Sequence, residues 1–327
     1  MGKRILYSAI AFLSLCGLLL VLAVAGLLLT RARAPKPRAA REASARLAPA
    51  PADARERYLE LLKKVLTRYE LGERHRPLWE RISPRESRLA RLRKRLILGA
   101  SELLPRDVAV VRAAPFDPYL RENGLDTPAD AETMVGLKRL DNIQQCVADV
   151  LRRNVPGDLI ECGAWRGGAC IFMRAVLAAY GDRTRTVWVA DSFEGLPKPG
   201  AGSEDARIWE GGEMAVSLDE VRGNFARYGL LDGQVRFLKG FFIDTLPQAP
   251  VERLALMRVD GDLYDSVIQT LQYLYPKLSV GGYVLLDDYH QKLPPAVKAV
   301  DDYRQAHGIT ETIHRVDPYG AYWQKER

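Results

Sequence analysis

The sequence predicts an α/β fold built on a doubly wound, mostly parallel sheet, and three observations lead there. From about residue 155, strand-like and helix-like segments alternate, the pattern of a parallel sheet covered on both faces. Short continuous apolar runs, such as Leu254-Ala255-Leu256-Met257 and Val284-Leu285-Leu286, suit strands buried on both sides. Several of these runs end in glycines or carboxylates, at the sheet edge where such folds hold ligands.

Taken in order, the chain opens with an apolar run from Ile5 to Leu29, longer than the roughly 20 residues a helix needs to cross a bilayer. Ala23-Val24-Ala25 resembles a signal-peptide cleavage site, yet the run continues past it as Leu27-Leu28-Leu29, which favours an uncleaved anchor. Lys3 and Arg4 precede it and Arg31, Arg33, Lys36, Arg38 and Arg41 follow, so the heavier positive flank predicts a cytoplasmic body. Residues 31–53, rich in Ala, Pro and Arg, read as a basic flexible tether. Leu59, Leu62, Leu66 and Tyr69 then share one face of a helix beginning near Asp53. A basic stretch from Leu78 to Leu104 reads equally as an amphipathic helix on anionic lipid or as a solvated helix packed through its leucines. The predicted strands are Asp158–Glu161, Val187–Asp191, Val235–Leu238, Leu254–Asp260 and Tyr283–Asp287. This gives an anchor at 1–30, a linker at 31–53, a helical lead-in at 54–130 and a sheet domain at 131–327.

Charge limits the partners. The chain carries a formal +7, and residues 1–50, with eight Lys/Arg against one acid, account for all of it. Residues 51–72 add +1 and residues 73–106 add +6, which leaves 107–327 at −7. Positive charge beside an apolar anchor points to a membrane surface, and an acidic sheet domain argues against nucleic acid. The four cysteines form no C-x-x-C pair, so zinc and redox roles are weak and a reducing compartment is the simpler reading.

The segment Glu161-Cys162-Gly163-Ala164-Trp165-Arg166-Gly167-Gly168 reads as a strand end, a glycine turn and a helix start. Such a turn lets backbone approach a ligand closely, and the helix terminus favours a negative group. Its spacing is not the G-x-G-x-x-G of dinucleotide sites. Asp191, ending the next strand before Ser192, is placed to accept from a ribose diol, or simply to cap its own loop. Asp260, Asp287 and Asp288 end two further strands. Three carboxylates on one rim repel one another, and a hard divalent cation such as Mg²⁺ resolves that conflict. A cation there would make a nearby hydroxyl more acidic, with Asp260 or His290 as the proton acceptor.

The sequence resembles the macrocin O-methyltransferase family, which methylates sugar hydroxyls with S-adenosylmethionine and Mg²⁺. The resemblance lies in Gly136-Leu137-Lys138-Arg139-Leu140-Asp141-Asn142, Pro156-Gly157-Asp158-Leu159-Ile160-Glu161 and Trp188-Val189-Ala190-Asp191-Ser192-Phe193. It continues through Asp244-Thr245-Leu246-Pro247, Asp260-Gly261-Asp262 and Asp287-Asp288-Tyr289. It implies a Rossmann-like class I methyltransferase fold with seven strands. It further implies metal ligands at Asp260, Asp287 and Asp288, and a cofactor site at Glu161, Gly163, Trp165, Gly167, Asp191, Ser192, Gly240 and Phe241. Leu263, three residues after Asp260, stands where the catechol O-methyltransferase type has a lysine, which argues against a lysine base. The anchor and residues 73–106 have no counterpart in that pattern, so the acceptor reads as a glycosylated small molecule or a lipid-linked glycan. A homo-oligomer is compatible with this reading. A nicotinamide-dependent oxidoreductase would share the sheet but have no use for the acidic trio. A non-catalytic membrane scaffold would have no need of the intact turn, Asp191 and three acids.

Overall fold

The computed structural model describes residues 53–72, 75–77, 111–113, 116–126, 128, 130–290 and 293–327. The apolar run at 5–29, the tether up to residue 52 and the basic stretch at 78–104 lie outside the described residues. Among the described residues no helix is long and apolar enough to cross a membrane.

Helix α1 (Ala54–Leu66) starts where Asp53 accepts from the Glu56 N–H at 2.9 Å, and it buries Leu59, Leu62 and Leu66. A short antiparallel pair follows, β1 (His75–Pro77) with β2 (Val111–Ala113). Helix α2 (Pro118–Glu122) is capped by Asp117, and α3 (Leu137–Arg152) leads into the sheet. The alternation then runs β3 (Asp158–Cys162), α4 (Gly168–Ala179), β4 (Val187–Asp191), α5 (Leu218–Arg227), β5 (Val235–Lys239) and α6 (Phe242–Thr245). It closes with β6 (Leu254–Val259), α7 (Tyr264–Leu274), β7 (Leu278–Leu286), α8 (Pro294–Ala306), β8 (His314–Arg315) and β9 (Ala321–Gln324).

The seven-stranded sheet has the order β5-β4-β3-β6-β7-β9-β8. Its first five strands are parallel, and β9 runs antiparallel to both neighbours. From β3 the chain winds outward through β4 and β5, then returns to β6 on the other side. That reversal opens a crevice at the carboxyl ends of β3 and β6. Apolar side chains fill both faces. Leu59, Ile143, Phe172 and Phe225, from α1, α3, α4 and α5, lie in one cluster. Leu271, Leu274, Val300 and Tyr303, from α7 and α8, lie with Trp323 in the other. The lead-in helix α1 therefore shares the core of the sheet.

One glycine ties the crevice together. Gly163 has φ +96°, and a Cβ there would sit 1.7 Å from the carbonyl oxygen of Asp260. Only glycine permits both that backbone and that approach. Gly163→Ala should cost about 3 kcal/mol or more, from strain and overpacking together. Urea unfolding followed by circular dichroism measures it, and a loss below about 1 kcal/mol would contradict the packing described.

Candidate active site

The carboxyl ends of β3, β4, β6 and β7 and the N-terminus of α7 surround a cleft of about 320 Å³, in the usual range for a small-molecule site. Glu161, Gly163, Trp165, Asp191, Ser192 and Phe241 line it, as do Asp260, Asp262, Asp287 and Asp288. The residues expected to hold a cofactor and those expected to hold a metal thus face one space. Gly167 and Gly240 shape turns instead. Gly167, at φ +84°, precedes α4, and Gly240, at φ +135°, donates its N–H to the Asp191 carbonyl at 3.0 Å.

The Asp191 carboxylate is already occupied by backbone. Oδ2 accepts from the N–H groups of Ala164 and Trp165 at 2.8 and 3.1 Å, and Oδ1 from that of Phe193 at 2.8 Å. Burial raises its pKa, against the pull of those N–H groups. A carboxylate has about four acceptor positions, so Asp191 retains room for roughly one further bond. Its first task is to fix the glycine turn. Trp165 and Phe193 adopt left-handed backbone at φ +49° and +57°, a conformation these contacts hold in place. Ser192 donates to the Gly195 carbonyl at 2.6 Å.

Behind the cleft two arginines are buried among acids. Arg258, 2% exposed at the end of β6, pairs with Glu161, with Asp260 at 2.6 Å and with Asp287. Arg139 on α3 bonds Asp287 Oδ1 at 2.5 Å and Asp317 at 2.9 Å. Asp317 belongs to the β8–β9 turn, where its other oxygen accepts from the N–H groups of Tyr319 and Gly320. Burial raises the Glu161 carboxyl, with Arg258 opposing. Burial acts on Asp287 in the same sense, but its two arginines prevail and hold it below the ordinary carboxylate range.

Facing the cleft, oxygens of Asp260, Asp262 and Asp288 lie within 4.8 Å of one another. Asp262 reaches that position through left-handed backbone, φ +57°. Asp287, expected in this trio, lines the same cleft but is not one of these three, and its Oδ1 accepts from Arg139 and Arg258. Burial and repulsion from neighbouring carboxylates push Asp260 and Asp288 well above their usual pKa. Two guanidiniums face six carboxylates here (Glu161, Asp260, Asp262, Asp287, Asp288 and Asp317), a net of −4 with all ionised. A donor set of converging, under-neutralised carboxylates fits a hard divalent cation. His290 lies behind this set, its Nε2 3.9 Å from Asp288 and its ring against Tyr319 at 4.2 Å, and it is not among the described residues lining the cleft.

Residues 55–325 match the family model of macrocin O-methyltransferase (TylF). The chain belongs to this family. Demethyldecarbamoylnovobiocin O-methyltransferase of Streptomyces niveus is 53% identical over 221 residues, 66% of this chain and 84% of that protein. The 8-demethyl-8-(2,3-dimethoxy-alpha-L-rhamnosyl)-tetracenomycin-C 4'-O-methyltransferase of Streptomyces olivaceus is 48% identical over 280 residues, 83% of this chain and 94% of that protein. The solved structure of the O-methyltransferase NovP superposes with a TM-score of 0.68 at 43% identity, covering 84% of this chain and all of that one. The macrocin O-methyltransferase homologue described here is an S-adenosylmethionine-dependent O-methyltransferase with a class I methyltransferase fold.

The sequence signal for Arg258 is a charge inside the otherwise apolar strand Leu254–Val259. Arg139 and Asp262 sit inside the family motifs without a spacing that assigns them a role. Replacing Arg258 with methionine should cost about 3–5 kcal/mol at neutral pH, because it strands buried carboxylates. Part of that loss should return at mildly acidic pH, since burial already raises the Glu161 carboxyl and favours its protonated form. Urea denaturation at both pH values measures this, and a neutral-pH loss below about 1 kcal/mol would contradict it.

Proposed function

We propose that the enzyme methylates a hydroxyl of a glycosyl group and does so with a divalent cation, Mg²⁺ or a similar ion, at the acidic rim. The observation that carries the reading is the convergence of Asp260, Asp262 and Asp288 in the same cleft as the glycine turn. The printed substrates of the relatives, one of them a rhamnosyl compound, support a sugar acceptor. Asp260 and Asp288 would hold the ion with Asp262, while Asp287 keeps the two arginines in place. When bound, such an ion supplies Lewis acidity that makes the acceptor hydroxyl easier to deprotonate.

The protein's own part is alignment. The turn at Gly163–Gly167, fixed by Asp191, positions the sulfonium side of the reaction, and the acid rim positions the hydroxyl. S-adenosylmethionine, when bound there, would supply a methyl sulfonium to the acceptor oxygen, the carbon–sulfur electron pair returning to sulfur. Asp260, which lines the cleft at the acid rim, would take the hydroxyl proton. His290 is not among the described residues lining the cleft, and its Nε2 lies 3.9 Å from Asp288.

We also read residues 5–29 as a membrane anchor with the enzyme on the cytoplasmic side, supported by the length of the apolar run and its positive flank. This favours a lipid-linked glycan or a glycoside that partitions to the membrane.

The test is methyl transfer from labelled S-adenosylmethionine by the full chain to demethyldecarbamoylnovobiocin and a panel of rhamnosides. Chelator, Asp260→Asn and Asp288→Asn should each lower turnover by about 100-fold or more, with S-adenosylhomocysteine binding retained. Chelator-independent turnover would reject the metal. Methylation of a simple catechol with no glycoside accepted would reject the sugar.

The raised carboxyls also fix the sign of a pH effect. Below their folded-state pKa values Asp260 and Asp288 hold protons that the cation must displace, so Mg²⁺ should raise the melting temperature more at pH 8 than at pH 5.5. Thermal melts with and without chelator measure the gap, and a gap that shrinks with rising pH contradicts the assignment.

A further inference from the structure

One carboxylate in the cleft has no task in the transfer. Asp205 opens the turn Asp205–Arg207, in the long connection between β4 and α5. It is 6% exposed and lines the cleft. Its Oδ2 accepts from the N–H of Tyr264, the first residue of α7, at 3.0 Å. Helix α7 benefits from that bond, since its own N-cap residue, Leu263, brings no side-chain acceptor. The other oxygen, Oδ1, is buried and accepts from no group. Capping therefore explains one oxygen and leaves the second at a cost in desolvation.

The connection that carries Asp205 is itself built. Leu196 N–H bonds the Glu213 carbonyl at 2.9 Å, and Gly212 N–H bonds the Leu196 carbonyl at 2.8 Å. The Glu213 carboxylate accepts from the N–H groups of Glu210 and Gly211 at 2.7 and 2.8 Å. Through Tyr264, which follows Asp262 by two residues, this folded connection is pinned beside the acidic turn. Asp205 thus lines the cleft with one carboxylate oxygen committed to Tyr264 and the other without a donor. A sugar brings several hydroxyls, of which the transfer consumes one.

We propose that Asp205 Oδ1 recognises the acceptor, taking a hydrogen bond from a hydroxyl of the glycosyl group other than the one methylated. This inference rests on the glycosyl reading above. Asp205 thereby selects acceptors by a hydroxyl pattern, apart from the cofactor turn and the acid rim.

Asp205→Asn tests it, because the carboxamide oxygen can keep the bond to Tyr264 while an NH₂ replaces Oδ1. With demethyldecarbamoylnovobiocin as probe, kcat/KM should fall by about 10- to 100-fold, with KM carrying the loss. S-adenosylhomocysteine affinity and Tm should stay close to the parent values. Asp205→Ala should show the same acceptor defect with a lowered Tm, since it also removes the cap. An Asn variant with kcat/KM within about twofold of the parent overturns the proposal, and so does an equal loss of cofactor affinity. If the parent enzyme methylates no glycoside of the panel, the glycosyl reading falls and this inference falls with it. If the parent methylates the probe and the Asn variant matches it, only the role of Asp205 falls.

Discussion

Arg258 places a cation inside an apolar strand at the centre of the sheet, and the geometry of the site follows from how that charge is satisfied. In the β3–β6 register it lies opposite Glu161, at the end of the strand that carries the cofactor turn. Its guanidinium also reaches Asp260 on its own strand and Asp287 just beyond β7. A planar fork of donors can serve three carboxylates at once, where a lysine ammonium would act as a compact point charge. Slipping either neighbouring strand by one residue would strand a buried ion. The register of the three central strands is thus held by the same group that orders the site.

This arrangement divides the acids into two kinds. Glu161, Asp287 and Asp317 face the arginines and complete a buried, hydrogen-bonded frame. Asp260, Asp262 and Asp288 converge on the cleft side, where Arg258 reaches only Asp260. The frame makes the site rigid, and the excess negative charge makes it receptive to a cation. Gly163 joins the halves, since its contact with the Asp260 carbonyl sets how near the cofactor turn lies to the acid rim.

The parallel strands were legible because buried strands read as apolar runs and end in carboxylates, as β6 and β7 do. The C-terminal hairpin was not, because β8 has two residues and β9 four, too short for a period to emerge. Asp260 and Asp288 stood out by position at strand ends. Asp262 did not, since its place depends on a left-handed backbone that no spacing announces. Asp287 looked equivalent to Asp288 in the sequence, and only the packing of Arg139 and Arg258 separates their surroundings. For Asp191 the sequence offered a ribose contact or a loop cap. The structure shows the cap directly, in three backbone N–H bonds. Asp205 left no sequence signal, because its partner Tyr264 is 59 residues away.

The most direct test of the acid-rim account is the anomalous scattering of manganese in a crystal of the enzyme grown with Mn²⁺ and S-adenosylhomocysteine. The account predicts one peak in the cleft, at coordination distance from oxygens of Asp260, Asp262 and Asp288, with Asp287 still bonded to both arginines. A cofactor-bound crystal with no manganese at that cluster, or with manganese bound only elsewhere, would contradict it.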